Sequence, residues 1–170
     1  MPKFKAYIQH DAMLCGITCL RMVCSHYGVE YSSEYLSRLC FATNEGVSLL
    51  GMSDAAERLG LHTVCGRLGL EQLRTVPLPC ILHWNQNHFV VLYRISKNGK
   101  KYYIADPGKG LVTRSEKEMK ECWISTRSNG EDRGVAMLIE TTPAFYDRMK
   151  HSGNEGESRS FRFLFGYLKK

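Results

Sequence analysis

No run in this 170-residue chain approaches the roughly 18 consecutive apolar residues that a membrane-spanning helix needs. No apolar h-region follows the short basic opening Met1–Ala6, so the sequence reads as carrying no secretory signal. Cys-x-x-Cys and His-Glu-x-x-His are both missing, and the seven cysteines are odd in number and irregular in spacing. Neither a zinc site nor a disulfide framework is therefore expected. The expectation is a reduced, cytosolic protein whose non-functional thiols behave as small buried hydrophobes. Internal repeats and low-complexity segments are also lacking. Basic residues do not gather on a helix or interleave with aromatics, which excludes nucleic acid as a partner. The net charge of +6 is split evenly: residues 150–170 hold five Lys and Arg against two Glu, and the rest hold 18 against 15. A basic tail beside apolar residues suits a cytosolic membrane surface.

What the chain does have is 44% apolar residues, enough for one domain to bury its own core. Its organising stretch is Gln9-His10-Asp11-Ala12-Met13-Leu14-Cys15-Gly16-Ile17-Thr18-Cys19-Leu20. From Cys15 to Tyr27 the apolar residues recur at helical spacing, and Gly28 follows as a stop. A cysteine in the first turn of a helix meets unsatisfied N–H groups and the positive end of the macrodipole, and both favour thiolate. Gln9 offers a neutral N–H₂ to a developing oxyanion, with the Cys15 backbone N–H as the natural second donor.

A thiol nucleophile also needs a base and a group to orient it. His88 lies in an apolar strand pair, Cys80–Trp84 and His88–Ile95. Asp106 ends the strand Lys101–Ala105 before Pro107-Gly108. His83 in the neighbouring strand is a rival base, and Asp106 before proline is also a common turn former. Cys19 and Cys24, on the same helix as Cys15, read as core. Trp84 and Trp123 read as core or cleft wall.

Around these residues the pattern predicts helices first: Ser32-Ser33 caps one running to about Cys40, and Ser48 caps Leu49–Leu59, closed by Gly60. Leu61–Leu68 reads as a strand and Leu70–Val76 as a short helix. Then come the hairpin strands, a turn at Asn98-Gly99, and a strand at Leu111–Thr113. A helical turn or two over Glu116–Trp123 has capping-box spacing, and a last strand covers Val135–Thr141. Helices followed by an antiparallel meander give an α+β fold of two layers. Cys15 would sit on one layer and His88 with Asp106 on the other.

The three stretches Gln-x-Asp-x-x-x-Cys-Gly-x-x-Cys, Leu-His-Trp…His-Phe-Val-Val-Leu and Tyr-Tyr-Ile-Ala-Asp-Pro-Gly-Lys-Gly resemble the N-terminal peptidase domain of bacterial peptidase-containing ABC exporters. The resemblance covers about residues 5–142. It implies a papain-like fold, with an N-terminal helical layer packed on a C-terminal antiparallel sheet. It also implies a cysteine peptidase that removes double-glycine leaders from bacteriocin or lanthipeptide precursors, with Cys15, His88, Asp106 and Gln9 at the site. The implied partners are an amphipathic leader seated in a hydrophobic groove and the exporter's transmembrane and ATPase domains. No cofactor is expected in the peptidase domain, ATP belonging to an absent nucleotide-binding domain. The implied location is the cytoplasmic side of the bacterial plasma membrane. One departure is Leu14, where the family often has Asp before the nucleophile. On this reading residues 1–145 are the peptidase domain, and 146–170 are a linker and the start of an interfacial helix. The alternatives are a non-catalytic leader-docking module, which is expected to lack the nucleophile, and a papain-like transferase acting on a small molecule.

Overall fold

The helix that starts at Cys15 is the centre of the packing, and its composition explains why. Helix α1 (Cys15–His26) buries Ile17, Cys19, Leu20, Met22, Val23 and Cys24 completely. Each large apolar side chain among them contributes about 1.5–3 kcal/mol by leaving water. Gly28, at φ 97°, takes the left-handed stop that the sequence predicts. The structure, a computed structural model, describes residues 3–9, 12–42 and 46–151. Of the opening motif, His10 and Asp11 lie outside the described residues, as does the expected interfacial helix over 161–170.

Helices α2 (Ser33–Leu39) and α3 (Leu49–Arg58) are capped as expected: Ser32 accepts from the Tyr35 N–H and Ser48 from the Gly51 N–H. The strands are β1 (Leu61–Leu68), β2 (Cys80–Trp84), β3 (His88–Ile95), β4 (Lys101–Asp106), β5 (Gly110–Ser115), β6 (Ile124–Ser128) and β7 (Glu131–Thr141). All pair antiparallel, in the order β1-β7-β2-β3-β4-β5, with β6 on β7. The meander therefore holds from β2 to β5, but the last strand inserts between β1 and β2.

Two differences from the sequence reading have local causes. Strand β7 starts at Glu131, not Val135, because its polar first residues pair with β6 rather than with the core. The β6–β7 turn, Asn129-Gly130, has both residues at positive φ, the Asn-Gly hairpin signal. The Asn-Gly pair is a local signal, and the strand before it, β6, is an addition to the expected elements. Helix α4 is also shorter than expected, ending at Leu73.

Helices α1–α3 cover one face of the sheet through Phe89, Val91, Ala105, Met137 and Ile139. The other face is covered too: α4 (Leu70–Leu73) and α5 (Glu116–Cys122) bury Leu73, Met119 and Trp123 against Leu82, Val90, Leu92, Tyr102 and Ile104. The expected two layers are thus joined by a thinner third. Helix α5 carries the expected capping box, Ser115 with Glu118. A final helix, α6 (Pro143–His151), places Phe145 fully inside the core. No helix among the described residues is long and apolar enough to cross a membrane.

Candidate active site

Gly16 determines how deeply Cys15 is set. A Cβ at Gly16 would lie 2.6 Å from the Met52 sulfur and 3.5 Å from the Phe89 ring, so its absence lets α1 close on α3 and β3. That approach lays Cys15, 8% exposed, against the first two residues of β3. The chain enters α1 through a 3-10 turn, Ala12–Leu14, which the sequence did not reveal, and no side chain caps the helix at Leu14. The first-turn N–H groups have no competing side-chain oxygen there.

Strand register brings the base and its partner together. Val91 opposes Ala105 and Leu92 opposes Ile104. Continuing that register sets Asp106 opposite Val90, two residues from His88 on the same face, a diagonal pair within reach of long side chains. His88 Nε2 and Asp106 Oδ1 are 2.8 Å apart. The same oxygen accepts the Gly108 N–H at 2.8 Å, so Asp106 is both a turn former and the partner of His88. With Nε2 engaged by the carboxylate, Nδ1 is the ring nitrogen left for the hydrogen bond with Cys15. His83 opposes Phe89, packs on its ring at 5.0 Å and is lowered by burial alone.

The turn carrying His88 is held from outside. Asn85 and Gln86 are both at positive φ, and the Asn85 N–H donates to the Cys122 carbonyl at the end of α5. Gln9 arrives in an extended segment: its N–H donates to the Pro107 carbonyl at 2.9 Å, directly beyond Asp106. Its Oε1 is buried without a hydrogen-bond partner.

Electrostatics separates Cys15 from the other thiols. Burial alone pushes it up, but hydrogen bonds from His88 and from the Phe89 and Gly16 N–H groups, with the His88 charge, bring it below the usual thiol value. The other six move the opposite way under burial: Cys40 rises to about 11 and Cys80 to about 12, and Cys19, Cys24, Cys65 and Cys122 are also raised. His88 is raised to about 9, chiefly by its hydrogen bond to Asp106 and then by that to Cys15. Asp106 is lowered; burial pushes it up, and the His88 and Gly108 hydrogen bonds outweigh it. His88 is therefore charged at neutral pH, and its hydrogen bond and charge shift Cys15 toward the thiolate. All seven cysteines are free, and Cys65 is exposed and Cys122 half-buried, unlike the buried set expected.

The sequence nominated Cys15, His88, Asp106 and Gln9, and the fold gathers them at one end of β3 and β4. The Phe89 N–H on the thiol was not legible, because a strand residue carries no mark of which helix abuts it. A separate cavity of about 430 Å³ lies on the α4–α5 side, lined by Glu71, Arg74, Glu116, Lys120, Glu131 and Arg133 among others. None of the four nominated residues lines it. Its cations lie beside carboxylates, Arg74 and Lys120 on Glu116 and Arg133 on Glu131, and nothing in it suggests chemistry.

Comparison with known proteins shows the family. The chain is 39% identical over 111 residues to the colicin V secretion/processing ATP-binding protein CvaB of Escherichia coli, covering 65% of this chain and 16% of CvaB. It is 32% identical over 125 residues to the lactococcin-G-processing and transport ATP-binding protein LagD of Lactococcus lactis, covering 70% and 18%. The chain thus spans less than a fifth of these relatives. Among solved structures, a double-glycine-motif protease from an AMS/PCAT transporter, in complex with its leader peptide, superposes with a TM-score of 0.72 at 31% identity. The match covers 82% of this chain and 93% of that one. The peptidase domain of Streptococcus ComA, a bifunctional ABC transporter, gives 0.69 at 25% identity, covering 82% and 100%. Residues 3–127 match the model of the peptidase C39 family. The chain belongs to that family and is a papain-like cysteine peptidase domain.

Proposed function

We propose that this domain cleaves precursor peptides after a double-glycine-type leader, as one part of an ABC exporter. The observation that carries the reading is the hydrogen-bonded series Cys15–His88–Asp106, in which Cys15 is the one thiol of seven held below its ordinary value. The thiolate attacks the carbonyl of the second glycine, and Gln9 and the Cys15 N–H hold the oxyanion. The His88 imidazolium gives its proton to the leaving amine, leaving a thioester. His88 then takes a proton from water, whose attack on the thioester releases the leader acid and restores the thiolate. Asp106 keeps His88 oriented throughout and favours its charged form before and after the proton transfers. A domain that kept only leader docking would have no need of a lowered thiol.

Selectivity in this reading has two sources. A narrow channel beside Cys15 admits glycine backbone and excludes side chains, while an amphipathic leader helix supplies affinity by laying spaced apolar residues into a groove. In this reading the domain works beside the exporter's membrane and ATPase domains, at the cytoplasmic face of the bacterial plasma membrane. The test is cleavage of synthetic double-glycine leader peptides followed by mass spectrometry. Bulky residues at either glycine should chiefly lower kcat, and polar residues at upstream apolar positions should chiefly raise KM. Efficient cleavage after bulky pairs, or indifference to the upstream leader, defeats the proposal.

A further inference from the structure

Residues 3–9 bring Gln9 to the site, yet they belong to no strand, so beside the Gln9 N–H on the Pro107 carbonyl it is side chains that hold them in place. Phe4 stacks on Tyr93 with ring centroids 4.7 Å apart and lies against His26. Tyr7 is held more closely. Its hydroxyl reaches the Glu30 carboxylate at 2.7 Å, and Ser25 donates to the other oxygen of that carboxylate at 2.7 Å. The Arg21 guanidinium lies over the Tyr7 ring, 4.1 Å from its centroid, and Arg21 Nε donates to the Tyr31 carbonyl. Lys5 lies over the same ring at 5.0 Å and is 3.7 Å from Glu30.

Arg21 and Ser25 are four residues apart on α1, the helix that begins at Cys15. Tyr7 is two residues before Gln9. The cluster therefore ties the segment carrying the amide to the helix carrying the thiol. Glu30 suits a fixed anchor: burial pushes its carboxyl up, but the Tyr7 and Ser25 hydrogen bonds and the Lys5 and Arg21 charges hold it below the usual range. Since Gln9 Oε1 has no partner of its own, the place of its amide depends on the backbone, held at Gln9 by the Pro107 carbonyl and two residues earlier by Tyr7.

We infer that Tyr7, through Glu30 and Ser25, is a positioning residue that sets the Gln9 amide against the oxyanion formed at Cys15. This rests on the proposed role of Gln9. A donor displaced by a fraction of an ångström loses much of its transition-state effect while substrate binding is untouched.

Tyr7→Phe keeps the ring beneath Arg21 and deletes only the hydroxyl. With a synthetic peptide bearing an amphipathic Gly-Gly leader, it should lower kcat by roughly threefold to tenfold and leave KM within about twofold. Alkylation of Cys15 by iodoacetamide forms no oxyanion, so its rate and pH profile should match the parent. In a Gln9→Ala background the same change should cost little more, because the positioned group is already gone. Glu30→Gln, which keeps an acceptor oxygen, should be milder than Glu30→Ala and serves if Tyr7→Phe does not fold. An undiminished kcat, a slowed alkylation, or an equal loss in the Gln9→Ala background overturns the inference. If Gln9→Ala itself lowers kcat by less than about threefold, the role of Gln9 falls and this inference with it. If Gln9→Ala is damaging and Tyr7→Phe is not, only the inference falls.

Discussion

His88 is the residue whose surroundings are most informative, because its two nitrogens face different partners. Asp106 on Nε2 and Cys15 at the other side both favour the imidazolium, which raises His88 to about 9. The imidazolium therefore persists through neutral pH, and His88 should impose no loss of kcat/KM there. It should fall along an alkaline limb centred near 9, where His88 loses the proton owed to the leaving amine. Asp106→Asn removes the larger cause, so that limb should move to lower pH as kcat drops. A limb that stays in place would show that Asp106 does not set the imidazolium. The stability contribution has a definite sign. His88 is raised above its unfolded value of about 6.5, so its contribution is complete below that pH and is lost as pH rises through about 9. Asp106 is lowered, so its share is present above its unfolded value and disappears as pH falls through the folded one. His88→Ala should approach Cys15→Ala in loss of cleavage, whereas His83→Ala, at a ring that packs on Phe89 and takes no part in the Cys15–His88–Asp106 series, should be mild. The reverse ranking in a cleavage assay would exchange the two assignments.

At the scale of elements, glycines decide how close two segments can come. Gly60 ends α3 at φ 91°, and a Cβ there would stand 2.4 Å from the Phe145 backbone nitrogen. Strain and overlap act together, and the neighbour is backbone that cannot swing aside. Gly60→Ala should cost at least about 2 kcal/mol, seen as a Tm lower by roughly 5 °C or more. Gly66, in the middle of β1, has nothing within 4 Å of a built Cβ and needs no positive φ. Gly66→Ala should change stability by no more than about 0.5 kcal/mol, or raise it. Thermal melts of the pair separate a required glycine from a dispensable one in adjacent elements.

For the whole molecule, the telling residue is Phe145, which comes after the last strand and is fully buried with the core of α1 and α3. Phe145→Ala should destabilise by about 3–5 kcal/mol and should not add to Gly60→Ala, since the two share one contact. Additive losses in denaturant titrations would mean that α6 and α3 are not coupled. Core continuity therefore runs through Phe145, at the point where composition alone suggested the domain was ending.

The sequence alone carried whatever depends on neighbours along the chain: the helix stop at Gly28, the serine caps, the hairpin turn and the nomination of Cys15 by its place at a helix start. It also carried Asp106 as a turn former, since Asp-Pro-Gly is a local signal. Only tertiary structure decided which histidine meets the thiol. Strand pattern alone left His83 as a rival to the His88 that the motif resemblance implied, and the β3–β4 register puts His88 beside Asp106 while His83 packs on the Phe89 ring. It likewise decided that β7 returns between β1 and β2, and that Phe89 lends its N–H to Cys15. The physical reason is the same in each case. Caps and turns are satisfied within a few residues, whereas strand order and cross-strand pairs are settled by the burial of two apolar sheet faces at once.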